Sequence, residues 1–288
     1  MKKFKPRKKS DIKRRIAMNQ FKKWTFFCLM TLLTLIFMPK ASADDNQLLK
    51  TKSIQTIKKA GVLRVGVKQD VPNFGYYSAD TGKYEGMEVD LARKIAKKLK
   101  VKPVFTAVTA QTREALLDNG QLDIIIATYT ITPERQANYS FSIPYYRDEV
   151  GFLVNQSEKI DSIKDLNHRT IGVAQGSTTK AAIEEYGKAH HLDFKFVQLG
   201  SYPELAISLY SKRIQAFSVD KSILSGYVSK QTAILPDGFN QQSYGIASSK
   251  ANSQLTKYIN QLIEEWTNDG SLQAIYKNYG LKPAKSEK

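Results

Sequence analysis

Two arginines, Arg113 and Arg135, and one aspartate, Asp220, are the residues best suited to hold a small charged ligand. Arg135 closes Thr132-Pro133-Glu134-Arg135, which has the makings of a helix start: threonine as N-cap, proline at the first helical position, an acid in the first turn. A helix N-terminus offers free N–H groups and a positive dipole end, both suited to an anion. A guanidinium one turn in adds a bidentate grip on a carboxylate. Taken alone, the same motif also describes a capped surface helix with a solvated arginine. Thr128 and Thr130 add hydroxyl donors on the strand end that feeds this turn. The stretch 172–179 (GVAQGSTT) repeats the logic, with Thr178 and Thr179 where a helix opens after a glycine. It lacks the spacing of a nucleotide-phosphate loop, because Lys180 falls four residues after Gly176. Asp220 follows the apolar Phe217-Ser218-Val219 and is either the N-cap of the next helix or an acceptor for a ligand ammonium.

Strands and helices must aim these groups. Apolar runs and alternation place strands at 63–67, 101–107 and 122–127, with helices at 89–99 and 113–118 between them. A second unit follows the same plan, with strands at 170–174, 194–197 and 214–219 and helices at 178–186 and 202–211. Strands alternating with helices predict an α/β fold with mainly parallel sheets. Two C-terminal stretches, 255–268 and 272–279, need an apolar partner in the first unit. The reading is two lobes, 44–146 with 243–288 and 147–242, joined by two crossovers near 145–150 and 239–244. Ligands in open α/β sheets bind beyond the C-terminal strand ends, so the interlobe cleft is the expected site.

Composition narrows the function. The chain has 288 residues, 42% of them hydrophobic, and a formal charge of +17. Residues 1–43 hold twelve Lys/Arg against one acid, so +11 belongs to them and +6 to the remaining 245 residues. That modest surplus is no nucleic-acid footprint. Lys22-Lys23, the apolar run 24–38 and Ala41-Ser42-Ala43 have the layout of a secretory signal peptide ending at residue 43. The expected destination is the periplasm or cell surface, without a lipid anchor or held by an uncleaved leader. The single cysteine, Cys28, lies inside that run, which leaves the mature chain no disulfide and no thiolate metal site. The histidines, His168, His190 and His191, have no acid at ligand spacing. No metal, no cofactor and no nucleophile elbow is expected, and the chain is not expected to be an enzyme.

Five stretches together carry a resemblance: LRVGVKQDVPNFGYY with GMEVDLARKIAKKL, then DIIIATYTITPERQANYSFSIPYY, TIGVAQGSTT, FSVDKSIL and QQSYGIA. Over residues 63–279 the chain resembles the polar amino-acid binding proteins, the substrate-capturing components of ABC importers, which have the two-lobed type II periplasmic-binding-protein fold. The resemblance implies that Arg135, Thr130 and the helix opening at Thr178 grip a ligand α-carboxylate. It also implies that Asp220 takes the α-ammonium, with the Thr128 carbonyl nearby. Glutamine-binding members have an acid where Lys68 stands and a lysine where Gln175 stands. With Lys68, Arg113, Thr128 and Tyr202, this chain looks like the branch that binds aspartate and glutamate. Glutamine binding, or a dehydratase on the same scaffold, is the alternative. The implied partners are an amino acid and a membrane permease, with the protein itself a monomer.

Overall fold

The protein is described here by a computed structural model covering residues 47–284, so the signal peptide expected at 1–43 lies outside the described residues. The chain opens with helix α1 (Lys52–Ala60) and strand β1 (Val62–Val67), then a small antiparallel sheet of β2 (Asp70–Val71), β3 (Gly75–Ser78) and β4 (Lys83–Glu85). Helix α2 (Met87–Leu99) buries Val89, Leu91, Ala92, Ile95, Ala96 and Leu99, the face its apolar spacing requires. Strand β5 (Lys102–Ala107) pairs in parallel with β1, Gly66 opposite Thr106. After α3 (Arg113–Asp118) comes β6 (Ile124–Ile125), also parallel to β1.

Strand β6 is much shorter than the stretch 122–127 expected from its apolar run. Thr128 takes a left-handed backbone with φ of 44°. Its N–H donates to the buried Glu88 carboxylate at 2.6 Å rather than to a neighbouring strand. A side chain from α2 thus ends the ladder and turns the chain toward α4 (Pro133–Asn138) and β7 (Tyr139–Phe141).

Strand β8 (Tyr146–Asn155) starts a second sheet with β9 (Thr170–Ala174) after it. Helix α5 (Thr179–His190), β10 (Lys195–Leu199), α6 (Tyr202–Tyr210), β11 (Ala216–Asp220), the short α7 (Lys221–Leu224), β12 (Thr232–Ile234) and β13 (Phe239–Tyr244) complete it. The order is β10-β9-β11-β8-β12, with β13 also on β8. The chain then returns as β14 (Ala247–Ser249), which pairs antiparallel with β6 and β7 and closes the first sheet in the order β5-β1-β6-β14-β7.

The last two helices are α8 (Ser253–Asn268) and α9 (Ser271–Asn278). They place Leu255, Ile259, Leu262, Trp266, Leu272 and Ile275 in one core with the buried residues of α1, α2 and β1. Each fully buried aliphatic side chain of this kind contributes roughly 1.5–3 kcal/mol. The C-terminal stretches therefore belong with the first sheet, as their apolar faces demand.

The two crossovers are not free linkers. Strands β8 and β13 run antiparallel side by side, Tyr146 opposite Tyr244 and Asp148 opposite Gln242. The whole is a two-lobed α/β fold with one large sheet in each lobe.

Candidate functional site

The two arginines meet over one ring. The Arg113 guanidinium carbon lies 4.2 Å and that of Arg135 4.5 Å from the centre of the Tyr129 ring. Tyr129 directly follows the left-handed residue Thr128. The Tyr129 hydroxyl donates to Glu114 Oε1 at 2.8 Å, and Arg135 Nε lies 3.4 Å from the same oxygen. Helix α4 starts as its sequence requires, with Pro133 at the first turn and the Thr132 side chain accepting from the Arg135 N–H.

Arg135 also donates through Nη1 to the Thr130 carbonyl at 3.0 Å and through Nη2 to Gly176 O, across the cleft, at 3.3 Å. Arg113 is buried, with 3% of its surface exposed. Its Nη1 donates to the carbonyls of Ala127 (2.9 Å) and Thr128 (3.4 Å). Among the described residues its Nε has no hydrogen-bond partner, and neither do Thr128 Oγ1 and Glu88 Oε2 close by. Buried polar atoms are rarely left unmet, which makes this cluster a candidate place for a polar ligand group. Burial, and then the charge of Arg135, pull the Arg113 guanidinium down to about 10.

Lys68 is equally buried, but the structure does not leave it as the free cation that the sequence suggested. Its Nζ lies 3.1 Å from Asp70 Oδ1 and 4.6 Å from the centre of the Tyr202 ring. Burial still outweighs Asp70 and lowers its pKa.

Asp220 stands at the end of β11 and at the N-cap position of α7, but its side chain makes no cap bond. Its carboxylate instead accepts from the Tyr244 hydroxyl. Burial, reinforced by the charge of Asp148, raises Asp220 to about 7, and burial raises Asp148 to about 6. Asp148 accepts from the Ser222 N–H at 3.0 Å. Glu88, held by Thr128 N–H and the Tyr145 hydroxyl, is pushed by burial to about 7.

Thr178 precedes α5 and donates to Gln242 Oε1 at 3.0 Å. Thr179 is buried at the start of α5, and among the described residues no hydrogen bond or ion pair joins its side chain to the other site groups. A cavity of about 700 Å³ opens at the cleft mouth, bordered by Thr130, Arg135, Gly176, Thr178 and Gln242. Lys68, Arg113, Thr128, Tyr202 and Asp220 do not border it and are all buried.

The lobes are in contact around this cluster. The Tyr202 N–H lies 3.4 Å from Asp70 Oδ2, and the Tyr227 hydroxyl donates to the Asp70 carbonyl. Sequence reasoning missed Glu88, Tyr129, Asp70, Asp148, Tyr244 and Gln242. Nothing in the local pattern sets Glu88 apart from an acid in an exposed first turn. Tyr129, between two threonines singled out for their hydroxyls, was the one signal available.

The profile of the bacterial extracellular solute-binding proteins, family 3, matches residues 63–282. A glutamine-binding protein of Geobacillus stearothermophilus is 31% identical over 82% of this chain and 96% of its own length. An L-glutamate/L-aspartate-binding protein of Pseudomonas aeruginosa is 25% identical over 81% of each chain. The solved structure of an ancestral arginine-binding protein bound to glutamine superposes with a TM-score of 0.68 at 34% identity, covering 76% of this chain and 97% of that one.

Proposed function

The chain belongs to the bacterial extracellular solute-binding proteins, family 3, and from that premise we propose that it captures an acidic amino acid, glutamate or aspartate, between its lobes. It then delivers the ligand to the permease of an ABC transporter outside the cytoplasmic membrane. Among the described residues no helix is long and apolar enough to cross a membrane.

The observation that carries the acidic reading is Arg113. It is buried, donates only to carbonyls, and has no carboxylate within salt-bridge range among the described residues. A buried cation without an anion costs several kcal/mol, and a ligand carboxylate removes that cost. Arg113 Nε and Thr128 Oγ1, both unmet, supply the donors for it.

The remaining groups fit an amino-acid head. Arg135, Thr130 and Thr178 surround an α-carboxylate from both lobes. Asp220, raised to about 7 while alone, becomes an ionised acceptor once an ammonium sits against it. Arginines come from the first lobe and Asp220 from the second, so only the closed form satisfies both ends of the ligand. The site is a binding site in this reading, with no group assigned to bond-making.

Glutamine is the second reading, favoured by the name of the Geobacillus stearothermophilus relative. Calorimetric titration of glutamate, aspartate and glutamine into wild type and Arg113→Ala separates the two. The acidic reading expects Arg113→Ala to weaken the acids by about a hundredfold, two charge-assisted hydrogen bonds' worth, and glutamine by much less. An unchanged glutamate affinity rejects it.

A further inference from the structure

Lys68 and Asp70 form a closed unit inside the cleft. The two side chains are 3% and 11% exposed, and their charges are 3.1 Å apart. Asp70 is fixed from the facing lobe as well. Its Oδ2 faces the Tyr202 N–H at the start of α6, and its carbonyl accepts from the Tyr227 hydroxyl. The chain carries glycine at this close approach, since a Cβ on Gly226 would sit 2.9 Å from Pro72. The turn bearing Asp70 is therefore clamped against the second lobe by contacts that involve no ligand atom. The Asp70 carboxylate stands at ion-pair distance from Lys68, although its Oδ1 makes no hydrogen bond among the described residues.

We propose that Asp70 is a specificity-determining residue: it is the built-in counter-ion of Lys68, so the closed cleft presents one uncompensated cation, Arg113, to the distal end of a ligand. The inference rests on the acidic amino-acid reading above and refines it. With two free cations the cleft would favour a distal carboxylate over a distal amide more strongly. With Lys68 neutralised from within, the discrimination between a distal carboxylate and a distal amide is set by Arg113 alone. This accounts for a site whose charges sort toward acids in a chain similar to a glutamine-binding relative.

Calorimetry on the full mature protein tests it, reading the ratio of glutamate to glutamine affinity in wild type, Asp70→Asn, Lys68→Met and the double variant. The ratio cancels any loss of folding or closure that affects both ligands alike. Asp70→Asn is expected to raise the ratio by about tenfold or more, since it adds one net positive charge at short range in a dry cleft. Made on top of Lys68→Met, the same change is expected to move the ratio less than about threefold, because the charge it uncovers is gone. A ratio unmoved by Asp70→Asn, or moved equally in both backgrounds, overturns the proposal. Should Asp70→Asn not fold, Lys68→Met alone decides. It leaves Asp70 uncompensated and must lower the ratio by about tenfold, and no change overturns the pairing. A wild type that captures glutamine and neither acid refutes the underlying reading. In that case a gain of glutamate binding by Asp70→Asn still supports the pairing, and its absence overturns it.

Discussion

Acidification should loosen the ligand through Asp220. In the ligand-free protein, burial and the neighbouring Asp148 raise Asp220 to about 7, against the help of the Tyr244 hydroxyl, Arg113 and Arg135. Asp148, itself raised by burial to about 6, shares the same field, so the two titrate as a unit. An ammonium needs the ionised form. Below pH 7 the cleft must lose a proton before it accepts the ligand, at about 1.4 kcal/mol per pH unit, or tenfold in affinity. Affinity is therefore expected to rise with pH, by roughly twentyfold between pH 5.5 and 7.5, and to level off above it. The ionisations of a free amino acid lie outside this window, so the slope belongs to the protein. Titration calorimetry in buffers of different ionisation heat reads the proton directly: close to one released per ligand near pH 6 and almost none at pH 8. Asp220→Asn should bind weakly and lose most of the pH dependence. Glu88→Gln should keep most of the slope, because Glu88, though also near 7, is held through Oε1 by Thr128 and Tyr145 in the cluster around Arg113 rather than beside Asp148 and Tyr244. An affinity constant within twofold from pH 5.5 to 8 would refute the argument.

Other outcomes follow from the same geometry. Gly176→Ala should weaken every ligand by more than about tenfold while the protein still melts cooperatively. Gly176 has φ of 76°, and a Cβ there would lie 2.8 Å from Gln111 Cα and 2.9 Å from the Ala110 carbonyl in the facing lobe, which penalises the closed form above all. Unchanged affinity would show that the lobes do not close to this separation. Without ligand, Glu88, Asp148 and Asp220 hold protons up to about 6–7 in the folded chain. An unfolded chain releases them near 4, so stability is present at low pH and lost as pH rises through 7. The melting temperature should be lower at pH 8 than at pH 5.5, and the reverse order in thermal melts would contradict the assigned burial.

Much of the architecture was legible because it rests on local patterns. Strand 170–174 was read at its full extent, and Pro133 with Thr132 marked the start of α4. The apolar faces of α8 and α9 pointed to the first lobe. What escaped depends on distant partners. Strand β8 contains Arg147, Asp148 and Glu149 beside apolar neighbours, which read as a connection until β13 pairs with it. The early end of β6 is caused by Glu88, forty residues away in sequence. Lys68 stood two residues from Asp70 in plain view, yet only the fold shows that the side chains turn toward each other. The arginines could be named from the sequence, but not the aromatic ring they share.

The pairing of β8 with β13 has one more consequence. A two-stranded antiparallel ribbon bends out of its plane more easily than it shears, because sliding one strand past the other breaks the hydrogen bonds between them together. Tyr145, at the end of one crossover, is tied to Glu88 in the first lobe, and Tyr244, at the end of the other, to Asp220 in the second. In the proposed function the jaws would share this spine and part like the covers of a book. An amino acid would enter and leave along one arc, past Arg135 at the fore-edge, before it reaches Arg113 near the binding.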